Sequence, residues 1–216
     1  EPVTISLAGD AGPVFDTEFD APIARIRTEA GIDLRRARDP ARAAITIEAV
    51  GRSDLARAVP QAACFVLPRR ITWADFRGRR SATSLRWTDL ERRDAAAIFV
   101  PADVSPQEIR DCVHEETAHA LGPVNDLYRL EDSIFNDDNM HSVLTGFDML
   151  ILRTAYDPAL ENGMTRAEVA PPLAPAKAFS RSGSGRIFPL YSRVMREGLS
   201  TANPRDKMDS GSGRMI

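Results

Sequence analysis

The residues best suited to chemistry lie between positions 112 and 126, in the stretch CVHEETAHALGPVND. It holds two of the three histidines of the chain, His114 and His119, and the acids Glu115, Glu116 and Asp126. Imidazole nitrogens and carboxylate oxygens are ordinary zinc ligands, and a carboxylate near a bound metal can take a proton from water. A zinc-hydrolase helix reads H-E-x-x-H, with its two ligands four residues apart on one face. Here the two histidines are five residues apart.

The spacing matters because this stretch is expected to be helical. Ser105 is a good N-cap, Pro106 suits the first helical position, and Glu108 completes an S-x-x-E capping box. Gly122-Pro123 stops the helix, which gives a span of 106–121. At ~100° per residue, His114 and His119 diverge by about 140° and cannot grip one ion. Glu115 and His119 are four apart and can. The in-register reading is therefore E-E-x-x-H, with Glu115 and His119 as ligands and Glu116 in the position of the base.

Glu116 falls on the apolar stripe with Ile109, Val113 and Ala120. Burial raises a carboxylate pKa, which suits a general acid or base. A structural Glu bonded to backbone or to an arginine accounts for the same position. A second register exists. A one-residue π-bulge would bring His114 and His119 together as H-E-x-x-x-H, with Glu115 as base. His141, in a polar loop, is either a further ligand or a solvated side chain.

The elements that must hold this helix read as interleaved strands and helices. Strands are expected at 3–9, 43–50, 63–67 and 96–100, and helices at 21–32 and 53–59. After the 106–121 helix comes an Asn- and Asp-rich irregular stretch, 125–142. Thr145 and Asp148 form a second capping pattern and start an apolar helix over 146–156. The pattern is α/β or α+β. From about 171 the chain turns Pro-, Gly- and Ser-rich, so 1–170 reads as the domain and 171–216 as an extension, partly ordered at most, with 188–195 as a piece that docks.

With 216 residues and 43% apolar content, the chain can bury a core. A net charge of −3 gives no support for nucleic-acid binding. The basic run RRITWADFRGRR, 69–80, reads as a solvated loop with a buried aromatic rather than a single-strand binding surface. No stretch approaches the ~20 apolar residues of a membrane helix. No signal segment is visible, and with Glu1 as the first residue this leaves the compartment open. The run NDDN, 136–139, could attract calcium but lacks the spacing of an EF-hand loop and also suits a simple turn. Cys64 and Cys112, if paired, close a loop worth ~4 kcal/mol; unpaired, they are buried thiols.

The string Glu115-Glu116-x-x-His119-x-x-Gly122-x-x-Asn125 resembles the metzincin motif H-E-x-x-H-x-x-G-x-x-H/D. In that alignment Asn125 takes the third-ligand position, and Asp126, next to it, is the better ligand chemically. SIF, 133–135, resembles the Met-turn with Phe135 in the Met place, and 144–158 resembles the closing helix. The chain is more similar still to the DUF2927 family. It carries that family's Cys112, Glu115, Glu116, His119, Leu121, Gly122, Asn125 and Asp126, then SIFNDD at 133–138, Leu144, Thr145 and Asp148, Tyr156-Asp157-Pro158 and Gly163-Met164-Thr165.

The resemblance implies an α+β, zincin-like fold with a mixed sheet, an active-site-type helix and a closing helix. It implies an exported protein of the periplasm or cell envelope, often a lipoprotein, and hence a Cys64–Cys112 disulfide. It points first to one function and keeps a second as the alternative. In the first, the protease motif is a scaffold that binds a peptide or an envelope partner without catalysis, as the Glu-for-His and Asn-for-His replacements suggest. In the other, Glu115, His119 and Asp126 or Asn125 hold Zn2+ and Glu116 is the general base of a peptidase.

Overall fold

The computed structural model describes residues 2–9, 11–78, 94–136, 141–161 and 164–169. Among the described residues five strands form one sheet: β1 (Val3–Ala8), β2 (Leu34–Arg36), β3 (Ile45–Val50), β4 (Phe65–Leu67) and β5 (Ala96–Pro101). Their order is β2-β1-β3-β5-β4. Neighbours are parallel except at one edge, where β4 runs antiparallel to β5 with Phe65 opposite Phe99. The protein is therefore α+β with a mixed sheet.

Six helices accompany the sheet among the described residues: α1 (Gly12–Arg25), α2 (Arg52–Ala58), α3 (Trp73–Gly78), α4 (Pro106–Leu121), α5 (Gly146–Ala155) and α6 (Arg166–Val169). The period of two along β5 divides the core. Ala96, Ile98 and Val100 face the cluster built with α1, α4 and α5, whereas Ala97 and Phe99 face the smaller cluster of Leu55, Phe65, Trp73 and Val59. All six residues of β5 are buried, as expected for a strand covered on both faces.

The expected 106–121 and 146–156 helices match α4 and α5 to within a residue. The first helix begins earlier than its apolar spacing indicated, at Gly12, with Pro13 in the first turn, and it ends in a π-turn, Ile26–Ala30. Strand β2 has one buried residue, Leu34, and two exposed arginines, so it carries no alternation to read. Part of the basic run is helical: α3 buries Trp73 against Phe65 and Phe99. The extension 171–216, including 188–195, lies outside the described residues, as do 137–139 of the NDDN run.

Helix α4 is central. From Cys112 to Leu121 every residue is buried. One amphipathic stripe would leave a wet side, but α4 is packed by the sheet, α1 and the segment leading into α5. That is why His114, on the side away from the apolar stripe, is also 2% exposed.

Candidate metal centre

Both capping boxes form. Ser105 Oγ accepts from Glu108 N at 3.2 Å at the start of α4. Thr145 Oγ1 accepts from Asp148 N at 3.2 Å at the start of α5. Helix α4 runs as a regular α-helix, so the π-bulge that would join His114 to His119 is absent from it. It stops at Gly122, whose N–H donates to His119 O. Gly122 has φ 152°, a conformation that side-chain-bearing residues avoid. This turn sends the chain back so that Asp126 returns to His119.

The ring of His119 is fixed on three sides. Nδ1 lies 2.6 Å from Pro123 O. Nε2 lies 3.1 Å from Asp126 Oδ1. The ring packs on Phe135, with centroids 5.1 Å apart. Phe135 is held by its own turn: its N–H donates to Ser133 Oγ at 3.1 Å, and Ser133 Oγ and Ile134 N donate to the Asp148 carboxylate. Asp148 is fully buried, and burial pushes its pKa above the ordinary carboxylate value. The sequence marked Asp148 only as a cap. Its second role, anchoring the turn beneath His119, depends on a contact fifteen residues away that no local pattern carries.

Glu115, His119 and Asp126 each offer a ligand atom, and the three atoms lie within 4.8 Å of one another. Glu115 is 6% exposed and His119 5%. Burial pushes the His119 pKa down, but Asp126, Glu116 and Glu115 outweigh it and hold it raised to about 10. Glu116 is equally buried. Asn125 is half-buried beside Asp126, with Oδ1 withdrawn from solvent.

The other two histidines are elsewhere. His114 Nδ1 accepts from Leu144 N at 3.2 Å, and Arg25 donates to Leu144 O. Burial pushes the His114 pKa down to about 4. The Glu18–Arg110 pair beside it, bidentate at 2.8 and 2.9 Å, ties α1 to α4. His141 Nε2 lies 2.9 Å from Glu131 O. Of the NDDN run only Asn136 is described; it is buried and donates through Nδ2 to Tyr128 O at 3.3 Å.

Cys64 and Cys112 are joined, with Cα atoms 5.9 Å apart, so the segment before β4 is bound to α4 one turn ahead of the two glutamates. Cys64 Sγ lies within 4.8 Å of a carboxylate oxygen of Glu115 and of Glu116.

The donor set suits a divalent cation. Nδ1 faces a carbonyl, which only accepts, so Nδ1 carries the hydrogen. Nε2 then faces the Asp126 carboxylate, which also only accepts when ionised. Two acceptors 3.1 Å apart need a positive charge between them, either a proton on Nε2 or a metal ion. An imidazole whose far nitrogen donates to a carbonyl is the usual arrangement of a metal-bound histidine.

Fold and site together define an α+β protein with a mixed five-stranded sheet and a buried carboxylate–histidine centre on its central helix. The chain belongs to the family described as "Protein of unknown function (DUF2927)", whose model matches residues 1–175. No curated protein and no solved structure matches it.

Proposed function

We propose that the protein is a zincin-like, metal-dependent hydrolase of peptides acting outside the cytoplasm. Glu115, His119 and Asp126 are its ligands and Glu116 its general base. The observation that carries this reading is the gathering of ligand atoms from Glu115, His119 and Asp126 within 4.8 Å of one another, with His119 Nε2 3.1 Å from Asp126 Oδ1. Zinc accepts this mixture of nitrogen and oxygen donors. When bound, the ion would polarise a carbonyl as a Lewis acid. The chain's own contribution is positional. Pro123 O sets the His119 tautomer, Phe135 fixes its ring plane, and Asp148 fixes Phe135. Glu116, adjacent to Glu115 on α4 and buried, would take a proton from water onto a carboxylate oxygen and return it to a leaving amine.

The zincin-like fold is supported by the mixed sheet with its antiparallel edge strand, by the site helix ending in a glycine turn, and by the helix that closes beneath it. Export is supported by the Cys64–Cys112 pair, because disulfides persist in oxidising compartments. No helix among the described residues is long and apolar enough to cross a membrane.

A second reading rests on the direct His119–Asp126 contact. A proton on Nε2 satisfies that pair without any metal. The centre would then be a polar core beneath a surface that binds a peptide or an envelope partner. Glu116→Gln separates the two: hydrolysis of a mixed peptide pool should vanish while bound metal stays constant. Undiminished turnover in that variant would remove Glu116 from the mechanism, and a metal-free protein would leave the binding reading in place.

A further inference from the structure

We propose that Cys64, Cys112, Glu115 and Glu116 form a second metal site, opened by reduction of the disulfide and suited to a thiophilic divalent ion such as zinc. This site shares Glu115 with the His119 centre but does not require that centre to be filled.

Three of the four donors stand on α4 at positions 112, 115 and 116, spaced i, i+3 and i+4 and so on one face. The fourth, Cys64, comes from the segment before β4. Cys64 Sγ and oxygens of both glutamates already lie within 4.8 Å of one another, and Cys112 Sγ is bonded to Cys64. All four residues are buried, between 4% and 8% exposed. Zinc holds sulfur at ~2.3 Å and carboxylate oxygen at ~2.0–2.2 Å, so donors around it stand roughly 3–4 Å apart.

In the oxidised protein the sulfurs carry no charge and offer the ion nothing. A dithiol reductant changes that. It supplies two electrons and two protons, the S–S bond breaks, two S–H bonds form, and the reductant leaves as its own disulfide. A divalent ion then replaces the two thiol protons, which pass to solvent. Thiolates select the softer ions, so the new site differs in chemistry from the nitrogen- and oxygen-donor centre beside it. Glu115 belongs to both donor sets, which couples the state of the disulfide to the His119 centre.

Cobalt(II) is the probe, because thiolate ligation gives an intense near-ultraviolet charge-transfer band that imidazole and carboxylate ligation do not. The metal-free full chain is titrated with cobalt before and after treatment with a phosphine, which becomes its oxide while water supplies the oxygen and the two protons. The phosphine is removed before cobalt is added. The band should be absent in the oxidised protein and appear after reduction. It should weaken in Cys64→Ser and in Cys112→Ser, vanish in the double variant, and survive His119→Ala. A reduced protein that keeps its cooperative melt yet shows no band overturns the proposal. So does loss of the cooperative melt on reduction alone, because the four donors then have no scaffold. A band on reduction with no cobalt bound by the oxidised protein would sink the His119 reading and leave this one standing.

Discussion

His119 Nε2 and Asp126 Oδ1 meet at 3.1 Å across the glycine turn that ends α4. Burial disfavours the charged imidazole, but Asp126 beside it and the carboxylates of Glu116 and Glu115 outweigh that, so the ring holds its proton up to about pH 10 when no metal replaces it. Asp126→Asn removes the charge but keeps the shape. The His119 pKa of the metal-free protein, followed by NMR, should fall well below about 10. A value unmoved by the substitution would mean that Glu115 and Glu116, not Asp126, hold the proton.

Gly122 should resist replacement. Its φ of 152° is strained for any side chain, although an added Cβ would have room, with Ala155 Cβ 3.9 Å away. Gly122→Ala should cost ~1–3 kcal/mol of stability from backbone strain alone. Chemical denaturation measures it. A cost below about 0.5 kcal/mol, the level of an ordinary surface substitution, would mean that the turn relaxes and does not constrain Asp126.

His114 gives the protein an acid sensitivity unrelated to the centre. Its folded pKa of about 4 lies below the ordinary histidine value of 6.5, so the unfolded chain binds the proton more readily. The associated stability is fully present above pH 6.5 and is lost as pH falls through about 4. The full loss is on the order of 3 kcal/mol, at 1.36 kcal/mol per pH unit. Urea denaturation between pH 7 and 4 should show this slope, and His114→Gln should flatten it. An unchanged slope in the variant would assign the effect to other groups.

Thr117 is completely buried in α4, and its hydroxyl has no hydrogen-bond partner among the described residues. A buried unsatisfied hydroxyl costs ~1–3 kcal/mol. Thr117→Val keeps the shape and removes the polar atom, so the melting temperature should hold or rise. A clear drop would reveal a partner that forms in solution.

The parts of this arrangement that could be read in the sequence are those written in local chemistry. Ser105, Pro106, Glu108 and Gly122 delimit α4 through capping and turn residues, and Thr145 with Asp148 starts α5 in the same way. The helical angle alone separated His114 from His119 and joined Glu115 to His119. What was hidden depends on contacts distant in sequence. β2 has a single buried residue and is defined by pairing with β1, and α3 lies within a run that looks solvated by charge. The burial of His114 comes from packing on a second side of α4, which a single amphipathic stripe does not announce. The sequence leaves Asn125 and Asp126 both open as the third ligand, with Asp126 the better one chemically; in the fold Asp126 Oδ1 stands 3.1 Å from His119 Nε2.

The central claim is that the positive charge between His119 and its surrounding carboxylates is a metal ion. Elemental analysis of the protein, purified without a metal-affinity column, tests it directly beside His119→Ala. One zinc per chain, lost in the variant, is the predicted result. No zinc in either protein, even after incubation with excess and washing, would contradict the claim and leave a proton in that place.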